Sequence, residues 1–174
     1  MTASTEKRAA PAASPILALD YGRKRIGLAV SDASGVLPRP IETLVRKNRR
    51  DDIKRLREIA RDNGARLLVV GHPLRLDGSR GDMAQEVERF AKRLENQLGL
   101  PVELMDERLT SWEAEQLEDQ FAGPLAAALS GKGEKHGMDS VAAAIILRDY
   151  LQQRRGNSRN TVRANLRAKG RPQS

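Results

Sequence analysis

Two short aliphatic runs lie almost back to back near the start of this chain, and they constrain its fold more than any other feature. Ile16-Leu17-Ala18-Leu19-Asp20-Tyr21-Gly22 and Ile26-Gly27-Leu28-Ala29-Val30 are separated only by Arg23-Lys24-Arg25. Each run is short, apolar and bounded by Gly or charge, which is the pattern of a strand. A link this short cannot carry a crossover, so the two strands must be antiparallel neighbours. They are expected over about 15–21 and 25–32. A third extended segment, over about 36–45, contains Pro38 and Pro40. Proline cannot donate to a ladder, so this segment belongs at the edge of a meander.

The period then changes. Ile53, Leu56, Ile59 and Ala60 recur at helical spacing ahead of Gly64, predicting a helix over about 49–63. Arg66-Leu67-Leu68-Val69-Val70-Gly71 is continuously apolar, as a central parallel strand should be. A loop with the turn pair Asp77-Gly78 follows. Met83, Val87, Phe90, Ala91 and Leu94 then mark a second helix over about 80–98, stopped by Gly99. Pro101-Val102-Glu103-Leu104-Met105-Asp106 is the next strand, and Thr110-Ser111-Trp112-Glu113 matches a capping box that opens a third helix. Residues 121–136 read as a mobile loop. Residues 139–153, with the run Val141-Ala142-Ala143-Ala144-Ile145-Ile146-Leu147, read as a buried helix. The expected fold is α/β: a five-stranded mixed sheet, an antiparallel meander plus two parallel strands, with helices on both faces. Ligands of such sheets collect at the carboxyl ends of the parallel strands.

Composition narrows the classes. A chain of 174 residues suits one domain with tails. Without cysteine there is no disulfide, thiol chemistry or Cys-based zinc site, and two histidines, His72 and His136, are too few for a His-rich one. No apolar stretch approaches the ~20 residues that span a bilayer, and the first fifteen residues lack the apolar core of a signal peptide. A soluble cytoplasmic protein is the expectation. The net charge of +8 is unevenly placed: residues 150–174 carry seven Lys or Arg and no acid, leaving 24 basic and 23 acidic residues in 1–149. The expected organisation is a flexible leader over 1–14, a domain over 15–153 and a disordered basic tail over 154–174. Such a tail can bind phosphate backbones or simply aid solubility.

Three acids stand out against this scaffold. Asp20 sits inside the first strand, where an unpaired carboxylate would cost several kcal/mol, on the order of the burial penalty for a charge. A divalent cation would compensate it, and so would a salt bridge to Arg23, Lys24 or Arg25. Glu107 lies at the end of the last strand, where it competes with Asp106, because adjacent strand residues face opposite ways. Asp139 is in the first turn of the terminal helix, whose alanines permit close approach to the sheet; alone it would read as an N-cap. Together, carboxylates from two strands and a helix offer hard oxygen ligands suited to Mg²⁺ or Mn²⁺. Two such ions about 4 Å apart can activate a water and stabilise the leaving oxygen of a phosphodiester. Arg23, Lys24, Arg25 and Arg108 are candidates to hold the phosphate backbone. His72 and His136 are weaker candidates for proton transfer, and Trp112 for stacking on a base.

Four blocks in order carry a family resemblance. Leu19-Asp20-Tyr21-Gly22 with Arg25-Ile26-Gly27-Leu28-Ala29-Val30-Ser31-Asp32 resembles the opening of the YqgF family. These bacterial proteins are described as pre-16S rRNA nucleases or as Holliday junction resolvase-like proteins. Val69-Val70-Gly71-His72-Pro73-Leu74 with Asp77-Gly78-Ser79, then Asp106-Glu107-Arg108-Leu109-Thr110-Ser111, then Asp139-Ser140-Val141-Ala142-Ala143, resemble its later blocks. The resemblance implies a ribonuclease H-like fold and makes Asp20, Glu107 and Asp139 the catalytic, metal-binding acids. It implies hydrolysis at the 5′ end of precursor small-subunit rRNA. Structured RNA is the expected partner, and a monomer or weak homodimer the expected state. Alternatives are resolution of branched DNA, and a non-catalytic RNA-binding role in ribosome assembly. Resolvases of this fold usually carry a fourth acid within a turn of the third; Ala142 and Ala143 stand in that neighbourhood here.

Overall fold

The computed structural model describes residues 14–109 and 138–169, with side chains to Arg108 and from Met138 to Gly156. The sheet contains β1 (Ile16–Tyr21), β2 (Arg25–Ser31), β3 (Pro38–Val45), β4 (Leu67–His72) and β5 (Val102–Asp106), in the order β3-β2-β1-β4-β5. The β1–β2 and β2–β3 pairs are antiparallel, and β1–β4 and β4–β5 are parallel. This is the expected mixed sheet. The hairpin between β1 and β2 closes through the Gly22 N–H, which donates to the Arg25 carbonyl at 2.8 Å. Both prolines lie on β3 at the sheet edge, where a missing donor costs no ladder bond.

Two helices cover one face. α1 (Arg49–Asp62) starts at Asn48, whose side chain accepts from the Asp51 N–H, and it stops ahead of Gly64 at φ +63°. α2 (Asp82–Leu98) ends on Gly99, in the left-handed region at φ +68°. Their apolar stripes, Ile53, Leu56 and Ile59 on α1 and Val87, Phe90 and Leu94 on α2, pack on Leu17, Leu19, Leu28, Leu68 and Val70. The opposite face is covered by α3 (Met138–Lys169). Its Ala143, Ala144, Ile146, Leu147 and Leu151 pack on Ile16, Ala18, Ala29, Leu67, Val69 and Met105. Strand alternation explains the split: odd positions of β1 face α1 and α2, and even positions face α3. Leu147 is wholly buried, and full burial of such a side chain stabilises by about 1.5–3 kcal/mol.

α3 runs well past Gln153, where the apolar pattern ends. The stretch expected as a disordered tail from 154 therefore begins as helix, to Lys169. Arginine, leucine and alanine are good helix formers, and Gly156 costs only about 1 kcal/mol relative to Ala, so the backbone pattern continues without an apolar stripe. The leader up to residue 13, the capping-box helix from Thr110, the loop at 121–136, Trp112 and His136 lie outside the described residues. No helix among those described is long and apolar enough to cross a membrane.

Candidate active site

Asp20 is the next-to-last residue of β1 and shares the α3 face with Ile16 and Ala18. Its ladder partner on β2 is Gly27. A β-carbon on Gly27 would collide with the Asp139 carbonyl and would reach the Ser140 nitrogen at 2.9 Å. The absent side chain lets the first turn of α3 descend onto the sheet, setting Asp139 beside Asp20. β4 shows the same device. A β-carbon on Gly71 would meet the Glu107 carboxylate and would approach the Ile146 Cδ1 at 2.6 Å. Glycines at positions 27 and 71 thus make room for two of the three acids. In the sequence, Gly27 and Gly71 stand out only as members of the family blocks; a glycine inside an apolar strand is the signal for close backbone approach.

Glu107 opens the one-turn 3₁₀ helix Glu107–Leu109 that follows β5. Met105 is buried against α3, so Asp106 must point to the other face. There it lies opposite His72 in the ladder and accepts hydrogen bonds from Arg108, the shortest at 2.6 Å from Nη2. These bonds hold the Asp106 carboxyl below its usual range, despite partial desolvation. Glu107 therefore faces the site and Asp106 does not.

The electrostatics of the pocket are unfavourable to its own charges. Burial, then the negative charge of Asp139, raises the Asp20 carboxyl above its ordinary value. Burial, then repulsion from Asp20 and Asp106, pushes Glu107 up to about 7. Every one of these influences penalises ionisation. Asp139 is joined to Arg25 at 2.9 Å. Among the described residues, no three His, Cys, Asp or Glu side chains form a closed metal-binding group. Asp20 and Glu107 are nonetheless hard oxygen donors whose ionisation is disfavoured where they stand, the chemistry that accepts a divalent cation.

The basic candidates are distributed differently from the acids. Arg23 pairs with Glu86 on α2 at 2.6 Å, Arg25 with Asp139, and Arg108 with Asp106. Lys24 is exposed at the hairpin. His72 turns away from the acids, with Nε2 3.0 Å from Glu88, which also receives Arg80 at 3.1 Å.

Comparison with known proteins agrees with this arrangement. The sequence profile described as "RuvX: Holliday junction resolvase" matches residues 14–153. This chain belongs to the RuvX family. That bears out the YqgF resemblance and places the protein among hydrolases of phosphodiester bonds. A relative from Thermosynechococcus vestitus is 40% identical over 149 residues, covering 86% of this chain and 95% of its own length. Another from Anaeromyxobacter sp. strain K is 43% identical over 138 residues, covering 79% and 96%. Both are named "Putative pre-16S rRNA nuclease". The solved structure of Thermus thermophilus RuvC in complex with a Holliday junction substrate superposes with a TM-score of 0.54 at 16% identity, covering 82% of this chain and 96% of that one. The likeness establishes a shared ribonuclease H-like fold.

Proposed function

We propose that this RuvX-family nuclease is a divalent-metal-dependent endonuclease of structured RNA, trimming the 5′ end of precursor 16S rRNA in the cytoplasm during ribosome biogenesis. The observation that carries the reading is the convergence of Asp20 and Glu107, both half-buried, at the carboxyl ends of β1 and β5, with the Glu107 carboxylate lying over Gly71 of the intervening β4. The names of the relatives supply the RNA substrate. Asp20 stands between the other two acids, since it is repelled by Asp139 and itself repels Glu107. Mg²⁺ or Mn²⁺, one ion or two, would be held by Asp20, Glu107 and Asp139, and would supply an activated water and a Lewis acid for the leaving oxygen. Arg25 orients the Asp139 carboxylate from the edge of the site. Lys24, exposed at the hairpin beside the site, is placed to meet a phosphate. The protein acts as a monomer or weak homodimer, with the domain over 15–153 and the leader and basic tail as appendages.

The test is cleavage of a precursor 16S rRNA fragment in Mg²⁺ by the wild type and by Asp20→Asn. The variant should retain its melting temperature and lose turnover by at least about a hundredfold, as expected when a group central to the chemistry is removed. Equal cleavage by both proteins overturns the assignment. A second reading, resolution of branched DNA, is favoured by the description of the family profile. It predicts faster cutting of a four-way DNA junction than of the rRNA fragment, by a dimer. A third, non-catalytic RNA binding in ribosome assembly, is favoured by Ala143, which packs in the core where a fourth acid would stand. It predicts tight RNA binding with no turnover in either metal.

A further inference from the structure

On the face opposite the acids, α1 and α2 enclose an open cleft of about 630 Å³. Its lining is Arg49, Arg50, Lys54 and Arg57 from α1 and Arg93 from α2, with Ile53 and Gln97 between them. Five cations therefore meet with no carboxylate among the lining side chains. The rest of the domain gives no reason to expect this, since residues 1–149 are nearly neutral.

Several arginines elsewhere on the domain, Arg23, Arg55, Arg61, Arg80 and Arg108, each have a carboxylate partner. None of the five cleft cations takes part in an ion pair among the described residues; Arg57 donates to the Gln97 carbonyl at 2.9 Å. The nearby acids are already engaged. Asp51 accepts from the Asn48 side-chain amide, Asp52 is buried against Arg46, and Glu95 pairs with Lys92. Five like charges held close together repel one another, and a polyanion relieves that cost.

We propose that this cleft is a second nucleic-acid site, gripping the phosphate backbone of a segment of structured RNA distant from the bond being cut. It lies on the α1–α2 side of the sheet and the acids on the α3 side, so a phosphate held here is not the scissile one. Its role is to anchor a folded substrate, and it rests on the proposed function only in taking RNA as the ligand class.

The test is binding rather than cleavage, so the two proposals fail separately. A fluorescein-labelled RNA hairpin is titrated with the full chain in EDTA, between about 50 and 200 mM KCl, where phosphate contacts dominate the salt dependence. The Lys54→Ala/Arg93→Ala variant should melt like the wild type, bind about tenfold more weakly at the low-salt end, and show a log–log salt slope shallower by about two. An affinity and slope equal to those of the wild type overturn the proposal. So does a variant that still binds the hairpin normally but loses binding to phosphatidylserine vesicles, which would make the cleft a membrane-surface site. A variant with a reduced slope, a raised KM for the RNA and an unchanged kcat supports the anchor; a catalytically inert wild type with the same slope change also supports it and refutes only the nuclease.

Discussion

Gly27 of β2 and the backbone of Asp139 in α3 compete for one volume, and only the lack of a β-carbon at position 27 lets both stand where they do. Gly27 is also the ladder partner of Asp20. One missing methyl group thus sets how near two candidate ligands come. Gly27→Ala must lift the start of α3 or bend β2, an overpacking cost of about 1–3 kcal/mol. The melting temperature should fall by several degrees, about 2–8 °C for a domain of this size. Cleavage should fall further than stability, because the Asp20–Asp139 spacing changes. A variant with unaltered melting and unaltered turnover would show that this close approach is not needed.

Glu107 gives the stability a pH dependence of known sign. Its folded value is raised from 4.5 to about 7, so the folded state binds the proton more tightly than the unfolded one. Its ionisation leaves stability intact below about 4.5, erodes it between about 4.5 and 7, and holds it at its lowest above that. Glu107→Gln should remove this slope. In EDTA the variant should match the wild type near pH 4 and exceed it at pH 8 in denaturant unfolding, while losing cleavage. Parallel pH profiles for the two proteins would contradict the burial of Glu107 and its crowding by Asp20 and Asp106. Millimolar Mn²⁺ should stabilise the wild type at pH 8 and leave the variant less affected.

Asp106 and Glu107 are adjacent but do different work. Asp106→Asn weakens a charge-assisted fork to Arg108 on the far side of the strand. The expected result is a severalfold rise in KM from a looser Arg108, with kcat close to that of the wild type. Glu107→Gln should lower kcat instead. Steady-state kinetics of both variants on one RNA separates them, and a collapse of kcat in Asp106→Asn would reverse the assignment of faces.

Arg25 holds Asp139 from a largely exposed position. Such pairs contribute about 0–1 kcal/mol, so a divalent cation can displace the guanidinium from the carboxylate. Arg25→Met should leave the melting temperature nearly unchanged and lower the Mg²⁺ concentration needed for half-maximal cleavage by severalfold. If Arg25 instead holds only substrate, KM for RNA rises and the Mg²⁺ requirement stays fixed.

Much of this fold was legible because its links are so unequal. Arg23-Lys24-Arg25 is too short for anything but a hairpin, while the segments before β4 and β5 are long enough for crossover helices. Pro38 and Pro40 fixed β3 at the edge, and Gly64 and Gly99 fixed two helix ends. The site was half legible. Asp20 declared itself as a charge inside an apolar run. The choice between Asp106 and Glu107 did not, because parity along β5 depends on which face Met105 takes, and both faces of this sheet are apolar. The 3₁₀ turn then begins at Glu107, where strand alternation no longer applies as a rule. The partners of Arg23 and Arg108 were likewise invisible, since Glu86 lies far along the chain and the Asp106 fork needs the turn geometry. The length of α3 was misjudged because helix beyond Gln153 has no apolar stripe to announce it.

That terminal helix is the last described part of the domain to be synthesised, yet it covers the face on which Asp20 projects. A nascent chain exposes β1, β2 and β4 long before it owns Asp139 or the apolar lid of Ile146 and Leu147. Until then one side of the sheet is bare and the carboxylate set incomplete. The order of synthesis therefore matters: a partly made copy of this chain displays Asp20 on an uncovered sheet, with Asp139 and the covering helix still to come.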